Sequence, residues 1–309
     1  MIRLENLTKH YGDVVAVDNL SFEVRPGVVT GFLGPNGSGK STTMRMILGL
    51  DIPTSGAVSI NDRDFRDLGY PLHEVGALLD AKALHPGRSA RNHLRALAVS
   101  NDISYARVEE VLHIVGLTSV ANKRAGGFSL GMGQRLGIAA AILGDPQILL
   151  FDEPVNGLDP EGIRWVRQFF RDLASQGRTV FVSSHLMSEM ALTADEIIVI
   201  GRGQMIRQGT IGELTSLAHG SVFVRSPEIA RFADLLASAG HTAVSSGDSS
   251  LTVEDLSAEQ VGEFAFANQV VLFELTPQRA SLEDVFMELT ADSVEFSGSS
   301  VTMPEEPGR

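Results

Sequence analysis

The stretch GPNGSGKSTT, Gly34–Thr43, is rich in glycine and carries one lysine among several hydroxyl side chains. It fits the pattern G-x-x-x-x-G-K-[ST], whose fixed positions fall on Gly34, Gly39, Lys40 and Ser41. The apolar run VVTGFL precedes it and predicts a buried strand, and the following TTMRMILGL predicts a helix. A loop between a strand and a helix N-terminus directs backbone N–H groups at one point, where an anion is favoured. The stretch therefore predicts a phosphate-binding loop.

Each part of this loop has its own expected task. The glycines permit the dihedral angles and the close backbone approach that a phosphate cradle requires. Lys40 can reach the outer phosphates of a nucleotide, and the Ser41 hydroxyl can ligate Mg²⁺. A glycine-rich turn with a chance lysine is the alternative, but it leaves the flanking strand and helix unexplained. The expected nucleotide contacts are Gly34, Pro35, Asn36, Gly37, Ser38, Gly39, Lys40, Ser41 and Thr42.

A second stretch, QILLFDEP at residues 147–154, ends an apolar run with two carboxylates. Continuous hydrophobicity suits a strand that is buried on both faces of a parallel sheet, and open α/β sheets bind ligands at the carboxyl ends of their strands. We therefore expect Asp152 to hold Mg²⁺ through its water shell and Glu153 to polarise the attacking water. A plain turn before Pro154 is the alternative, but the phosphate loop and this strand explain each other better.

The composition limits the classes of function. The chain has 309 residues, 43% of them hydrophobic, which is enough for one large domain or two smaller ones. Its formal net charge of -13 argues against a protein that binds nucleic acid, which normally presents a basic face. The chain has no cysteine, no apolar signal core at its N-terminus, and no run near the roughly 20 apolar residues of a spanning helix. We expect a cytoplasmic protein that depends on another chain for any membrane part.

Three further pieces follow in a fixed order. FSLGMGQR, Phe128–Arg135, opens a helix; NGLDP, Asn156–Pro160, turns into the next helix; and TVFVSSH predicts a strand that ends at His185. With the phosphate loop and the acidic strand they resemble the ATP-binding subunits of ABC transporters, from about residue 2 to residue 220. Five ordered motifs together are far more specific than any one of them. The resemblance implies an ATPase with ATP and Mg²⁺ as cofactors.

The resemblance also implies a role for each motif. Gly34–Ser41 resembles the Walker A loop, and Ile148–Glu153 resembles the Walker B strand. Ser129 and Gly131 stand in the signature sequence, which in this family binds the γ-phosphate of ATP held by the other protomer of a head-to-tail dimer. Asp159 belongs to the stretch that resembles the D-loop. A homodimer of two cassettes with two ATP molecules between them is therefore expected.

Two aromatic side chains complete the implied site. His185 resembles the switch histidine and is expected to contact the γ-phosphate, and Tyr11 stands in the place of the aromatic that stacks on adenine. Both residues could instead have purely structural roles. His185 could be a hydrogen-bonded histidine of the core or the surface, and Tyr11 could be an aromatic residue of a hairpin. Ser129 alone is by default an N-cap, and it can cap a helix and bind phosphate at the same time.

The sequence departs from the family pattern at two informative positions. Leu130 replaces a glycine of the signature, which reduces the freedom of that loop. Asp80 stands where the family has a glutamine that offers a carbonyl to Mg²⁺ beside the membrane partner. A shorter, anionic side chain could bind the metal more strongly than glutamine or fail to reach it. We expect Asp80 to be a metal ligand, with both alternatives left open.

The predicted fold is an α/β P-loop NTPase cassette with an antiparallel β subdomain and a helical insertion, followed by a small α+β C-terminal domain. The cassette is expected over residues 1–220, with the insertion at about 86–123. The segments SVFVRS, TAVSS, SLTVED and VVLFEL predict strands that alternate with helices as βαββαβα over residues 221–290. Residues 291–309, rich in Ser, Pro and Glu, predict a disordered tail.

Three classes of function compete. A soluble ABC protein of ribosomes or DNA usually has two cassettes or long coiled coils, and a P-loop kinase or GTPase would leave the signature unexplained. The ending SLEDVFMELT resembles drug-export ABC subunits of the daunorubicin-resistance type. We therefore expect an ATPase that powers a membrane exporter of a drug-like or lipophilic molecule. It would lie on the inner face of the cell membrane through a separate transmembrane permease. That permease would contact the helical insertion, whose Arg88, Arg91, His93 and Arg95 form either a partner surface or a solvated face.

Overall fold

The computed structural model describes residues 1–80, 83–217 and 221–278, together with residues 283, 285 and 286. Its strands, in chain order, are β1 (Ile2–Tyr11), β2 (Val14–Val24), β3 (Val29–Leu33), β4 (Ser55–Ile60), β5 (Val75–Leu78), β6 (Ile148–Asp152), β7 (Thr179–Ser184), β8 (Glu196–Gly201), β9 (Gln204–Thr210), β10 (Ser221–Arg225), β11 (Ala243–Gly247), β12 (Ser250–Val253) and β13 (Glu274–Gln278). Its α-helices are α1 (Lys40–Ile47), α2 (Pro71–Glu74), α3 (Ala90–Ser100), α4 (Tyr105–Ile114), α5 (Leu130–Ala141), α6 (Pro160–Ser175), α7 (Met187–Ala191), α8 (Ile211–Leu217), α9 (Ile229–Ser238) and α10 (Ala258–Ala267).

The central sheet has six strands in the order β5-β6-β7-β3-β8-β9. The first five strands are parallel, and β9 pairs antiparallel with β8. All residues of β3 and β7 are buried, as their continuous apolar sequences predict. Since β7 lies between β6 and β3, the carboxyl ends of these three strands are neighbours. The segments that follow them, which carry the predicted site, therefore meet at one edge of the sheet.

A second, antiparallel sheet has the order β2-β1-β4 and corresponds to the predicted β subdomain. Its hairpin pairs Tyr11 with Val14 through a turn in which Gly12 has φ +58°. The inner face of this sheet packs on the central sheet, where the Phe22 ring lies 5.5 Å from that of Phe32, centroid to centroid. This packing fixes β1 and its terminal aromatic relative to the strand that leads into the phosphate loop.

Helices α3 and α4 lie within the range predicted for the helical insertion. Each begins at a serine N-cap, because Ser89 Oγ accepts from Asn92 N–H at 3.2 Å and Ser104 Oγ accepts from Arg107 N–H at 3.4 Å. The apolar sides of both helices join α5 in the large core of the central sheet. Within the described ranges, none of the helices combines the length and the apolar character needed to cross a membrane.

The C-terminal strands form a separate four-stranded antiparallel sheet in the order β11-β12-β10-β13. With α9 and α10 they give the element order βαββαβ, which is a split βαβ arrangement. A core of their own forms between this sheet and the two helices, and it includes Val224 of β10 and Phe232 of α9. The division of the chain into residues 1–220 and 221–290 stays a prediction.

One predicted strand of this unit is wrong in position. The sequence VVLFEL predicts a strand over residues 270–275, whereas β13 begins at Glu274. Val271 and Phe273 are exposed. Of the predicted strand, Glu274 and Leu275 pair with β10 in the described sheet. The apolar residues before Glu274 connect α10 to the sheet, so their hydrophobicity does not mark a strand. The predicted last helix, residues 281–290, is described only at 283, 285 and 286, and the predicted tail, 291–309, lies outside the described residues.

The close packing of α5 on β5 generates a prediction for stability. A Cβ at Gly76 would overlap the carbonyl oxygen of Ala141 at the end of α5 and lie 2.9 Å from Pro146 Cγ. We expect Gly76→Ala to lower the free energy of unfolding by about 1–3 kcal/mol, because the backbone must shift to relieve the overlap. Urea unfolding followed by circular dichroism measures this change.

Gly69→Ala is the matched control, since no atom lies within 4 Å of the Cβ position at Gly69. We expect its effect to stay within about 0.5 kcal/mol. Equal unfolding midpoints for the two variants would show that the contact between β5 and α5 is looser than described.

Candidate active site

The phosphate loop lies between the carboxyl end of β3 and the start of α1, as the sequence predicts. Gly39 precedes the helix with φ +101°, and a Cβ there would lie 2.5 Å from the carbonyl oxygen of Ala16. Both the backbone conformation and the available space therefore require glycine. Because Gly39 has no side chain to cap the helix, the first N–H groups of α1 stay available for an anionic ligand.

Lys40 is the buried cation of the site, with 6% of its surface exposed. Its Nζ donates to the carbonyl oxygens of Gly34, at 2.7 Å, and Pro35, at 3.1 Å. Burial lowers the pKa of Lys40, and attraction to the carboxylates of Glu153 and Asp152 opposes this shift. An anionic ligand close to Nζ would likewise favour the charged form. The ammonium group is thus held beside the loop by neutral carbonyl groups that a phosphate can replace.

The acidic pair follows the buried part of β6 and is held by its neighbour β7. Ser183 Oγ donates to Asp152 Oδ1 and accepts from the Glu153 N–H at 3.0 Å. Glu153 has φ +48°, an uncommon conformation for a residue other than glycine. Gln134 of α5 donates from Nε2 to the carbonyl oxygen of Glu153 at 3.2 Å. The two peptide groups that flank the Glu153 Cα are therefore fixed from two different elements.

His185 lies directly after β7 and reaches the same carboxylate. Its Nδ1 is 2.9 Å from Glu153 Oε2, and 40% of its side chain is exposed. The sequence predicts a γ-phosphate contact for His185, and the structure places this residue between the acidic pair and the phosphate loop in strand order. The phosphate contact itself stays a prediction.

A cavity of about 210 Å³ brings the loop and the acidic pair together. Its lining consists of Ala16, Asn36, Gly37, Ser38, Gly39, Lys40, Ser41, Thr42 and Glu153. One buried ammonium group, one carboxylate and a run of backbone N–H groups thus face one space. This combination suits a ligand with several phosphates and a water molecule that must be activated.

The expected metal ligands Ser41 and Asp152 offer hydroxyl and carboxylate oxygens, which Mg²⁺ prefers. Ser41 is exposed in the first turn of α1, and Asp152 is half-buried at the end of β6. In the described part of the chain, no three His, Asp or Glu side chains group closely enough to hold a metal ion. The donor set therefore fits a cation that takes its other ligands from phosphate oxygens and water.

Asp80, the third expected ligand, lies just after β5 at the edge of the central sheet, beside β6. It is exposed and lies outside the cavity lining given by the described residues. Its role at the metal stays a prediction.

Tyr11 ends β1, and 47% of its surface is exposed. Its hydroxyl donates to Asp51 Oδ2 at 2.8 Å, and Lys9 Nζ lies 4.8 Å from the centre of its ring. Burial, followed by the hydrogen bond to Asp51, raises the pKa of Tyr11, and a hydrogen bond with the loop residue Thr42 opposes this. The ring thus lies next to the phosphate loop, and adenine stacking stays a prediction.

The signature and D-loop residues lie at the starts of two helices. Ser129 Oγ accepts from the N–H of Met132 at 3.2 Å, and Asp159 Oδ1 accepts from the N–H of Gly162 at 2.8 Å. Both residues are N-caps. Gly131 lies against Leu158, because a Cβ added at Gly131 would be 3.3 Å from the Leu158 side chain. Ser129 lines a different cavity, of about 460 Å³, and not the one at the phosphate loop.

Two residues that hold the site are not predicted from the sequence. Ser183 and Gln134 are both buried polar residues that bond to the acidic pair. A polar residue near the end of the apolar run TVFVSSH was the available signal for Ser183. Gln134 had no comparable signal, because its role depends on how α5 packs against β6.

In the basic cluster of the helical insertion, Arg91 Nε is 2.7 Å from Glu109 Oε1, so part of the positive charge is paired within the insertion.

Comparison with known families gives two matches. The family described as ABC transporter matches residues 17–156. A second family, described as a domain of unknown function (DUF8746), matches residues 220–283.

Individual relatives extend over most of the chain. The bacitracin transport ATP-binding protein BcrA of Enterococcus faecalis is 36% identical over 298 residues, which cover 94% of this chain and 96% of that protein. The lantibiotic transport ATP-binding protein SrtF of Streptococcus pyogenes is 36% identical over 67% of this chain and 89% of its own length.

Among solved structures, the dimeric post-hydrolysis state of the ATP-binding cassette MJ0796, bound to ADP and Pi, matches with a TM-score of 0.63. It is 28% identical and covers 68% of this chain and 98% of its own. The predicted P-loop fold and the resemblance to the drug-export branch are both confirmed. The chain belongs to the ABC transporter family, in which it is an ATP-binding subunit and an ATPase.

Proposed function

We propose that this chain binds and hydrolyses ATP to power a membrane exporter, through ATP-dependent head-to-tail pairing of two cassettes. The observation that carries the proposal is the single cavity shared by the phosphate loop, Lys40 and Glu153. Family membership supports the ATPase activity, and the dimeric relative bound to ADP and Pi supports the pairing.

In the proposed mechanism, the backbone N–H groups of Gly34–Thr42 hold the phosphates while Tyr11 stacks on the adenine. Lys40 turns its ammonium group from the loop carbonyls to the outer phosphates. Glu153 accepts a proton from the attacking water, and His185 donates a hydrogen bond to the γ-phosphate. Ser41 and Asp152 would hold Mg²⁺, which would neutralise phosphate charge.

The second half of each site is proposed to come from a partner copy. Ser129 is exposed at the start of α5, and within its own chain it faces a cavity apart from the phosphate loop. A contact between Ser129 or Gly131 and a γ-phosphate therefore requires another chain. Asp159, exposed at the start of α6, is placed at the same proposed interface. Closure of two copies would exclude bulk water from both sites.

The membrane part of the transporter is proposed to be a separate permease that contacts the helical insertion from the cytoplasmic side. The names of the relatives, bacitracin and lantibiotic transport proteins, support a drug-like or lipophilic cargo. Nucleic acid is not proposed as a partner, given the net charge of -13.

The proton-accepting role of Glu153 predicts the effect of Glu153→Gln. This variant keeps the shape of the side chain but removes its negative charge, so we expect hydrolysis to fall by at least about a hundredfold. ATP binding should survive, and the ATP-bound dimer should accumulate. Phosphate release at saturating ATP and sedimentation velocity measure the two effects.

Glu161→Gln is the matched control, because Glu161 is an exposed carboxylate in the first turn of α6. Its turnover should equal that of the unaltered protein. Near-normal turnover in Glu153→Gln would remove Glu153 from the proposed role.

The composite site predicts complementation between two inactive subunits. Lys40→Ala removes the ammonium group from the phosphate loop of one chain, and Ser129→Arg blocks the signature sequence of the other. In the mixed dimer one site keeps an intact loop and an intact signature, so we expect part of the ATPase activity to return. Activity per molecule of the unaltered protein should also rise with concentration before it saturates, since the active species is a dimer.

Each variant alone is the control and should stay inactive at the same total concentration. A mixture that forms dimers by sedimentation but recovers no activity would contradict independent composite sites.

A further inference from the structure

The hydrogen bond from Gln134 to the carbonyl oxygen of Glu153 joins α5 to the main chain of the proposed hydrolytic residue. We propose that Gln134 is a positioning residue for ATP hydrolysis, which holds the main chain of Glu153 in the conformation that aims its side chain at the attacking water. This inference rests on the proposed function, because it assumes that Glu153 accepts the proton from water.

The local geometry supports a positioning role. Gln134 is 3% exposed, and its Nε2 donates to the carbonyl oxygen of Glu153 at 3.2 Å. Glu153 has φ +48°, a conformation that a residue with a side chain adopts only when its surroundings hold it there. Its N–H is held by Ser183 on the other side, at 3.0 Å. The Glu153 carbonyl oxygen also accepts from the Asn156 N–H at 3.3 Å, so loss of the Gln134 bond would leave it with this longer bond from its own turn and weaken its hold on the peptide.

A second contact ties α5 to the chain that follows Glu153. Gly157 has φ +75°, and the space beside it is filled by Leu130, because a Cβ at Gly157 would overlap the Leu130 side chain. Leu130 stands where the family pattern has glycine, and its side chain makes this contact possible. The first turns of α5 thus contact the segment 153–158 near both of its ends.

This arrangement links the two ATP sites of the proposed dimer. Helix α5 begins at Ser129, which is proposed to contact the ATP of the partner, while Gln134 holds the Glu153 that serves the ATP of its own chain. A shift of α5 on dimer closure would therefore reach Glu153 through the partly buried Gln134 hydrogen bond and through the contact between Leu130 and Gly157.

Steady-state kinetics of Gln134→Met tests the role, since methionine has a similar shape but cannot donate the bond. We expect kcat to fall about three- to tenfold, as is typical for the loss of one intramolecular hydrogen bond. The KM for ATP should stay within about twofold of normal, because Gln134 does not line the phosphate cavity within the described residues. Gln134→Leu repeats the test if the methionine variant does not fold.

Two controls separate positioning from general loss of stability. Gln168→Met removes an amide donor from an exposed hydrogen bond on α6, and its kcat should be unchanged. Ile138→Val removes one methyl group from the buried side of α5 and changes no hydrogen-bonding group, so it should lower Tm with little change in kcat. An equal loss of kcat in Ile138→Val at a similar Tm, or an unchanged kcat in Gln134→Met, would overturn the proposal.

Mixed dimers show which site depends on Gln134. In the pair of Lys40→Ala and Ser129→Arg subunits, only the Ser129→Arg chain has a working phosphate loop and Glu153. We expect Gln134→Met to lower activity when it is added to that chain and not when it is added to its partner. The reverse pattern would show that Gln134 acts through the signature of the partner site and would overturn the proposal. If the Lys40→Ala and Ser129→Arg mixture is inactive without Gln134→Met, the composite site is refuted. The role of Gln134 is then tested by the kcat of Gln134→Met and Gln134→Leu alone.

Discussion

The order of three parallel strands is the constraint on which the site depends. Because β7 lies between β6 and β3, the segments after all three strands meet at one edge of the sheet. Ser183 of β7 connects the acidic pair directly, since its hydroxyl group bonds to both Asp152 and Glu153. The phosphate loop after β3 faces the same cavity. A different order of these strands would separate the groups that bind phosphate from the group that activates water.

Charge explains why the site suits a nucleotide with a metal ion. Lys40 is buried among neutral carbonyl groups, and burial lowers its pKa even though Asp152 and Glu153 attract its charge. A phosphate beside the ammonium group and a cation beside the carboxylates would neutralise both kinds of charge at once. The open N-terminus of α1 adds N–H groups without adding bulk. Binding is therefore expected to be coupled between nucleotide and metal.

Much of this could be predicted from the sequence, for reasons that are local. The glycines of the phosphate loop, the continuous apolar runs of β3, β6 and β7, and the serine at the start of α5 each carry their own signal. The Gln134 bond to Glu153 could not be predicted, because it depends on how two distant elements pack. The start of β13 was misplaced for a related reason, since the exposed Val271 and Phe273 have the composition of a strand but lie before the residues that pair in register with β10. Roles that need a second chain, such as that of Ser129, stay predictions.

Retention of Mn²⁺, a paramagnetic substitute for Mg²⁺, tests most directly whether loop, carboxylate and nucleotide form one site. After gel filtration, electron paramagnetic resonance should detect about one Mn²⁺ per chain in the protein loaded with ADP and much less without nucleotide, because phosphate oxygens complete the ligand shell. Asp152→Asn should bind ADP but retain far less of the ion. Equal retention of Mn²⁺ with and without nucleotide, or full retention in Asp152→Asn, would contradict a metal site shared between Asp152 and the phosphates.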